Sequence, residues 1–401
     1  MSSYATLLKT RGVARIIAAQ LTARFPFGML SLAFLLHIEH PYETYGVAGL
    51  VLAALSIGQA IAGPLTSRLM GVWGMRPVII TTMIICALAI TTIAVFPIGI
   101  AADMVVAFVA GLTMPPIQPA VRTIYPKMVN SQQLTPLFSL DASAQEIIWI
   151  LGPVVTTFVS LQIGTMWGIL LAVAFLLGGG VWFVTSPELG RVRIPRSKRK
   201  LGVVLKKPPV LLATIVGFLL VAACAAIEAG VVSTFGEGGA EAGFVLAVFA
   251  IGSLVGGLSL GHKPIGPWAL ARRMAIVFVG TSIAAAWLNV WWLAVTLFIA
   301  GIGIAPALAV MFAIVSASVR FSDTAEAYGW VGTGQLIGAA LGSSLAGFLI
   351  DGIGSVGAFL VAAGLALLGF IVPFAGKRFH PDLRGRDASP IPDTEPVGVV
   401  N

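Results

Sequence analysis

Two ionisable side chains lie deep inside long apolar stretches of this sequence. Arg24 follows Arg15 by nine residues, and Glu146 follows Pro136 by ten. At about 1.5 Å of helix rise per residue, each lies roughly 13 to 15 Å beyond that preceding residue. A charge at such a depth in a membrane is costly, so it usually belongs to a path for a proton, an ion or a substrate.

Helical spacing places further residues on the same two faces. Arg24 shares its face with Gln20, Phe27, Gly28 and Ser31, and Glu146 shares its face with Trp149, Pro153 and Thr157. We predict that Arg24 and Glu146 face a cavity and that Glu146 exchanges a proton, depending on whether Arg24 or a substrate is close. The alternatives are a permanent ion pair between the two, or a Glu146 satisfied by backbone and solvent alone.

A third apolar stretch carries Gln118 and Arg122, four residues apart after Met114-Pro115-Pro116. This spacing points both side chains the same way. Gln118 is a candidate substrate contact, with hydrogen bonding inside the core as the alternative. Arg122, together with Arg68 and Asp141, is predicted to form a gate network rather than a substrate site.

The remaining candidates have weaker signals. Arg320, Asp323 and Glu326 are a counterpart of the gate network or a solvated loop. Glu228 is a candidate for taking up protons, whereas Asp103 is predicted to be exposed without a special role. The predicted proton-coupling residues are thus Glu146, Arg24 and Glu228, and the predicted substrate contacts are Arg24, Phe27, Gln118, Glu146, Trp149 and Gln335.

No catalytic or metal-binding pattern accompanies these residues. His37 and His40 are three residues apart but lack further ligands, and Cys86 and Cys224 lie in apolar runs, where they act as small hydrophobic residues. The sequence contains no P-loop and no nucleophile, zinc or dinucleotide motif. We therefore expect no metal, no cofactor and no enzyme activity.

Composition identifies the broad class. Of 401 residues, 58% are hydrophobic and only 10% are charged, and the mean hydropathy is +0.99. A soluble domain carries about 25% charged residues, so this is a polytopic membrane protein. The net charge of +8 is explained by basic loops on one membrane face, and no nucleic-acid partner is expected.

Polar, Gly and Pro residues divide the chain into twelve apolar segments of about the 20 residues that a spanning helix needs. The segments are 13–37, 46–67, 77–96, 101–122, 137–162, 165–186, 210–233, 242–261, 273–289, 291–317, 327–350 and 355–376. The first contains Arg24 and is longer than the roughly 7–15 apolar residues of a cleavable signal peptide. It is therefore predicted to be the first spanning helix.

The polar stretch 187–209 separates two sets of six spans and carries eight Lys or Arg residues against one Glu. All of the loops on its side are basic. The loops on the other side, residues 37–43, 96–99, 162–164, 235–241, 288–290 and 351–354, contain no Lys or Arg. Because basic loops stay in the cytoplasm, the linker and both termini are predicted to be cytoplasmic.

An internal repeat relates the two sets. Residues 48–58, Ala-Gly-Leu-Val-Leu-Ala-Ala-Leu-Ser-Ile-Gly, reappear as residues 242–252, Ala-Gly-Phe-Val-Leu-Ala-Val-Phe-Ala-Ile-Gly. A parallel repeat of this kind predicts an all-α membrane protein with twelve transmembrane helices in two pseudo-symmetric six-helix bundles, residues 1–186 and 210–376. The cytoplasmic basic linker 187–209 joins them, and the polar tail 377–401 is predicted to be disordered.

The loop after the second span resembles the cytoplasmic signature of the major facilitator superfamily, Gly-x-Leu-x-Asp-Arg-x-Gly-Arg-Arg. The match is carried by Gly63, Leu65, Arg68, Gly74 and Arg76. Ser67 stands where the family has an acidic residue, and extra residues precede Gly74, so the usual charge lock through that acid is not expected.

Leu151-Gly152-Pro153 in the fifth span resembles the core of the antiporter signature of that family. Proline interrupts the helical hydrogen bonds and small residues allow close helix contact, which gives a place where the bundle bends. The two resemblances imply gating roles for Gly63, Arg68, Gly74, Arg76, Gly152 and Pro153, beside Arg122 and Asp141.

The resemblance extends from about Arg11 to Arg378 and implies a secondary active transporter of a bacterial inner (cytoplasmic) membrane. We expect a monomer that works by alternating access and exports a small, partly apolar compound by proton-coupled antiport. Proton-coupled uptake of a sugar or other metabolite is the alternative within transport. A non-transporting membrane sensor or a membrane enzyme is the alternative of another class.

Overall fold

The computed structural model describes residues 2–42, 45–236, 240–385 and 387–393. These residues form sixteen α-helices, and the only β-type pairing among them is an isolated bridge between Arg320 and Ile391. The helices are α1 (Ser2–Lys9), α2 (Val13–Arg24), α3 (Pro26–Tyr42), α4 (Tyr45–Trp73), α5 (Met75–Val95), α6 (Ile100–Leu112), α7 (Ile117–Ile124), α8 (Ser131–Gln162), α9 (Thr165–Thr185), α10 (Pro187–Arg191), α11 (Pro208–Phe235), α12 (Ala240–Leu260), α13 (Ala269–Ala284), α14 (Val290–Ser318), α15 (Phe321–Ile353) and α16 (Val356–Ala375).

Each of the twelve predicted spans coincides with a helix or a pair of helices. Eleven segments are long and apolar enough to cross a membrane. The ninth predicted span is α13, whose 16 residues fall just below the usual length. The predicted all-α class, with two sets of six spans, is confirmed.

Two predicted spans are interrupted at proline. The first span divides into α2 and α3, with Pro26 opening α3, and the fourth divides into α6 and α7 after Pro115 and Pro116. Proline has no backbone N–H and clashes with the preceding turn, so a continuous helix is disfavoured there. Interrupted backbone at membrane depth is tolerated only where it is enclosed by protein or lines a cavity, and Arg24 lies directly before the first interruption.

Three helices are longer than predicted. α4 continues to Trp73 instead of ending near residue 67, so most of the presumed signature loop is helical. α8 begins at Ser131 instead of residue 137, because the side-chain oxygen of Asn130 accepts a hydrogen bond from the Gln133 N–H at 3.1 Å. α15 begins at Phe321 instead of residue 327.

The hydrophobic core shows how the two six-helix halves meet. One buried cluster lies wholly within the first half, between Met29 and Leu176. The other is continuous across both halves and includes residues from Leu7 to Ala388. The halves therefore share a core in one part of the molecule and have separate cores in the other.

Burial along single helices locates the shared part. In α8, most residues from Leu134 to Ala144 are buried, whereas beyond them burial is confined to a single stripe, Ile148, Gly152, Thr156 and Ser160. In α14, every residue from Gly303 to Ser316 is buried. These well-buried segments adjoin the end of the bundle that carries the linker, which we call the linker end. Toward the opposite end of the bundle, which we call the far end, the halves separate.

A close backbone contact joins the halves near the linker end. Gly63 of α4 faces Gly329 of α15, and a Cβ atom on Gly63 would lie 2.9 Å from the Gly329 carbonyl oxygen. Beside it, Thr333 Oγ1 donates to the Ala60 carbonyl at 2.6 Å. Two glycines are needed because any larger side chain would force these helices apart.

The linker is part of this contact rather than a solvated tether. Arg68 of α4 donates to Glu326 Oε2 of α15 at 2.8 Å, and the Gly202 N–H donates to Glu326 Oε1, also at 2.8 Å. Ser197 Oγ donates to Asp323 Oδ1 at 2.6 Å. Asp323 and Glu326 are both buried by these contacts, so the alternative of a solvated loop is wrong for these two acids, and their role as a counterpart of the gate network stays a prediction.

The tail differs from the predicted disorder over its described part, residues 377–385 and 387–393. The Leu383 N–H donates to the Ile265 carbonyl at 2.9 Å, and Ile391 exchanges hydrogen bonds with the backbone on either side of Arg320. Asp393 Oδ1 accepts from Ser322 Oγ at 2.6 Å, at the start of α15. The last predicted tail residues, 394–401, lie outside the described residues, as do 43–44 and 237–239 of the far-end loops.

Replacing Gly329 by Ala is expected to loosen the linker end. A Cβ there would lie 2.5 Å from the Gly63 carbonyl oxygen and 2.8 Å from the Pro64 Cα, and overpacking of this kind costs about 1–3 kcal/mol. The melting temperature of the purified protein should fall. Gly332→Ala, three residues along α15 and with nothing within 4 Å of its Cβ, should leave it unchanged or raise it. Equal melting temperatures for the two variants would contradict the close contact.

Replacing Asp393 by Ala is expected to release the tail from the start of α15. The change removes the acceptor of the hydrogen bonds from Ser322, and loss of a helix cap costs about 0.5–2 kcal/mol. Limited proteolysis should cut the tail faster in this variant. Asp387→Ala is the control, because the one hydrogen bond that Asp387 accepts within the described part of the chain comes from the nearby Ser389 N–H. Identical cleavage rates would show that Asp393 does not hold the tail.

Candidate functional site

A buried polar cluster surrounds Asp141 of α8. Asp141 Oδ2 accepts from Arg122 Nε at 2.9 Å, and Oδ1 accepts from Gln20 Nε2 and Tyr125 Oη, both at 3.1 Å. Arg24 Nη1 lies 3.7 Å from the same Oδ1. Three helices of the first half, α2, α7 and α8, together with Tyr125 directly after α7, thus converge on one carboxylate.

The two arginines also bind neutral side chains. Arg24 donates to Gln20 Oε1 at 2.8 Å and to Gln145 Oε1, which also accepts from Arg122 at 3.4 Å. With its amide oxygen turned toward Arg122, Gln118 accepts a further hydrogen bond at 2.8 Å. Of the two interpretations of Gln118, the contacts fit hydrogen bonding inside the core.

The second half seals this cluster. The Arg122 guanidinium lies 3.4 Å from the ring centroid of Phe312 on α14, a cation–π contact. The Phe138 ring of α8 packs against the rings of Phe312 and Tyr328, with both centroid distances 6.5 Å. Arg122 is thereby held between the halves, and its predicted role in a gate stays a prediction.

The cluster carries more positive than negative charge. Arg24, Arg122 and Asp141 are all buried, at 3%, 2% and 0% exposure, and their formal charges sum to +1. Arg24 Nε has no hydrogen-bond partner among the described residues. A buried charge must be paired or well hydrogen-bonded, so Asp141 and the three glutamines are the groups that make this arrangement tolerable.

Glu146 does not belong to this cluster. It lies five residues after Asp141, a rotation of about 140° around the helix, and faces the second half of the protein. Glu146 Oε1 accepts from Ser253 Oγ of α12 at 2.9 Å, and Ser253 Oγ accepts in turn from the Ala305 N–H of α14 at 3.2 Å. Arg24 and Glu146 do not pair in this structure, so the permanent ion pair considered from the sequence is wrong.

Glu228 and Asp103 are placed differently from each other. Glu228 of α11 is exposed although it lies well inside a span. Asp103, predicted to be exposed, is buried in the first turn of α6, a helix that packs against both α4 and α5.

The other predicted substrate contacts are spread more widely. Trp149 is 47% exposed on the open face of α8, and Phe27 is half-buried against the first-half core. The Gln335 side chain lies against Gly217 of α11, 3.4 Å from where a Cβ would be. The structure thus does not gather all six predicted contacts at one point.

The remaining predicted gate residues lie within the first half. A Cβ on Gly152 would lie 2.8 Å from the Gly28 carbonyl oxygen, so α3 and α8 touch there, one residue before Pro153. Arg76 donates to the Ser186 carbonyl at 3.4 Å, and Gly74 opens α5 with φ of 93°. These residues hold the N-terminal bundle together and do not touch the second half through the contacts described here.

Sequence reasoning missed four residues of these sites. Tyr125 and Gln145 lie within one turn of Arg122 and Asp141, and this spacing was a readable signal. Ser253 and Phe312 lie in apolar runs of the second half, and nothing in the sequence places them against the first half.

The sequence matches a known family of membrane proteins over nearly its whole length. The family description Major Facilitator Superfamily matches residues 16–288 and 264–395, which together cover most of the chain. The chain belongs to the major facilitator superfamily. This membership agrees with the two packed six-helix halves.

Solved structures of several transporters share the fold of this superfamily member. The human organic anion transporter MFSD10 (TETRAN) is 16% identical, with a TM-score of 0.71, covering 90% of this chain and 99% of that one. A bacterial homologue of the iron transporter ferroportin, in an outward-facing state, is 12% identical with a TM-score of 0.74, covering 92% and 100%.

A variant of the E. coli fucose:proton symporter FucP is 16% identical, with a TM-score of 0.70, covering 92% of this chain and 100% of that one. At such identities the likeness shows the fold alone. No curated protein sequence matches this chain. The protein is thus a multi-pass membrane transporter by family.

Replacing Asp141 by Asn is expected to destabilise this transporter strongly. The change leaves Arg24 and Arg122 buried without a counter charge, and breaking a buried ion pair in this way costs about 3–5 kcal/mol. Thermal unfolding of the purified protein measures the loss. Adding Arg122→Gln to the variant should restore part of the stability, since one unpaired charge is removed.

The control for this prediction is Asp351→Asn, an exposed acid near the end of α15. It should unfold like the wild type. If Asp141→Asn is as stable as Asp351→Asn, the Asp141 charge does not stabilise the arginine cluster.

Proposed function

We propose that this protein is a proton-coupled antiporter that exports a small, partly apolar compound, with Glu146 as the group that carries the proton. The observation that supports this assignment is the contact of Glu146 with Ser253 across the two halves. The proposal makes Arg24, Arg122 and Asp141 part of the gate that encloses the site rather than of the proton path.

The surroundings of Glu146 suit a carboxyl that gains and loses a proton. Its one hydrogen-bond partner among the described residues is the Ser253 hydroxyl, at 2.9 Å, and none of the ion pairs between described residues involves it. A paired carboxylate keeps its charge, whereas one held by a neutral hydroxyl within a membrane is easily protonated.

The position of Glu146 couples that proton to the conformational change. It lies on α8 just beyond the well-buried segment 134–144, where the halves begin to separate. Closing the far end would enclose Glu146, and enclosing a charged carboxylate is costly while enclosing a neutral one is not. The far end can therefore close when Glu146 is protonated or when a substrate is bound beside it. Exchange requires this, because the protein must carry either a proton or a substrate each time it changes conformation.

The orientation follows from charge. With its eight basic residues, the linker end belongs in the cytoplasm of a bacterium, and both termini with it. The conformation described here is then closed to the cytoplasm and open to the outside. In such a state Glu146 and Glu228 are both reached by protons from outside, and the monomer is sufficient because its two halves enclose the path.

We infer export by exchange rather than uptake from the resemblance of Leu151-Gly152-Pro153 to the core of the antiporter signature of the superfamily. Gly152 lies against Gly28 in a contact that larger residues would prevent, and Pro153 weakens the helix directly beyond it. The part of α8 that carries Glu146 is therefore held against α3 next to a point where the helix can bend.

Replacing Glu146 by Gln is expected to abolish proton-driven transport. Purified protein in liposomes with an imposed pH gradient is tested with a panel of fluorescent cationic and neutral compounds. In the wild type, substrate should move opposite to protons. In Glu146→Gln that movement should fall at least about tenfold, because the amide cannot bind or release the proton.

The control is Glu241→Gln, an exposed acid at the start of α12, which should transport like the wild type. Movement of substrate in the same direction as protons would overturn export and favour uptake by symport. Unchanged gradient-driven movement in Glu146→Gln would overturn Glu146 as the carrier.

A further inference from the structure

A basic cavity lies at the linker end, apart from the transport path. It has a volume of about 400 Å³ and opens between the start of α2 and α10. Its lining includes four cationic side chains, Lys9, Arg11, Arg15 and Arg191, and one carboxylate, Glu188. Nothing in the proposed transport cycle uses this cavity.

Most of the positive charge in this cavity is unpaired. Arg15 donates to Glu188, which is only 6% exposed, so these two charges offset each other. Lys9, Arg11 and Arg191 are exposed, and none of them takes part in a described hydrogen bond or ion pair. The cavity therefore presents three cations converging on one concave surface, which fits an anion rather than a solvated helix face.

The cavity is also apolar in part. Leu8 lines it and is 44% exposed, whereas its neighbour Leu7 is completely buried. α1 ends at Lys9 and α2, the start of the first span, begins at Val13, so the cavity lies where the chain enters the membrane. A ligand that fills it must have a negative charge beside an apolar portion, and must be available at the membrane surface.

We propose that this cavity binds the phosphodiester headgroup of an anionic phospholipid, with the phosphate among Lys9, Arg11 and Arg191 and the glycerol and first acyl carbons against Leu8. Its volume is within the range of about 300–1,000 Å³ typical of small-molecule sites. Basic pockets beside membrane spans suit such headgroups because the lipid supplies both the charge and the apolar contact.

The bound lipid would stabilise the corner between the two elements that meet there. The Arg15–Glu188 pair joins α2 to α10, and a Cβ on Gly12 would collide with the Glu188 side chain. α10 leads directly into the linker that contacts Asp323 and Glu326. A lipid bound at this corner would therefore stabilise the linker end without contacting Glu146.

Native mass spectrometry of the full-length, delipidated protein tests the proposal. The triple variant Lys9→Gln, Arg11→Gln, Arg191→Gln is compared with the wild type during titration with phosphatidylglycerol. The matched control is Lys198→Gln, Lys200→Gln, Lys206→Gln, which removes three exposed linker cations. The cavity variant should bind phosphatidylglycerol about tenfold more weakly, while the control binds like the wild type.

Three outcomes would overturn the proposal. Equal losses in the two triple variants would show a diffuse electrostatic attraction without a site. Equal affinity of the wild type for phosphatidylcholine would show that the headgroup charge is not recognised, and displacement of the lipid by equimolar inorganic phosphate would identify a free-phosphate site. Melting curves of both variants establish that each is folded.

Discussion

The approach of Gly63 to Gly329 is the contact on which the other interactions between the halves depend. Only with both side chains absent can α4 and α15 lie this close. The contact brings Arg68 within 2.8 Å of Glu326 and lets Thr333 reach the backbone of α4. With α4 and α15 held together on one side of the bundle, α8 can meet α12 on the other. There Ser139 Oγ donates to the Gly257 carbonyl at 2.7 Å.

That packing sorts the buried charges into two groups with different tasks. Arg24 and Arg122 share Asp141, and Phe312 of the other half closes over them. Removing Asp141 would leave both buried arginines without a counter charge, which is costly. Glu146, by contrast, has only the Ser253 hydroxyl as a partner among the described residues, and it lies where the halves begin to separate. A single helix, α8, thus presents Asp141 to its own half and Glu146 to the other.

The spans, their grouping and the depth of the key charges could be predicted from the sequence. Hydropathy, loop charge and the internal repeat all depend only on the order and spacing of residues along the chain. They do not give the direction in which each side chain points between helices. Equal depth suggested that Arg24 faces Glu146, yet Asp141 on another side of α8 is its partner. The tail was expected to be disordered from its polarity, but its described contacts use backbone groups at Leu383 and Ile391 and the Asp393 carboxylate, which hydropathy does not register.

The central claim is that protonation of Glu146 controls closure of the far end. Pulsed electron paramagnetic resonance between spin labels at Gly49→Cys on α4 and Gly347→Cys on α15 tests this claim directly. The two native cysteines are first replaced. Both sites can carry a label, because a Cβ atom added at either glycine would have no other atom within 4 Å. The distance distribution should shorten as the pH is lowered. It should lose that pH dependence in Glu146→Gln, where the side chain is permanently neutral. An unchanged pH response in Glu146→Gln would contradict the account.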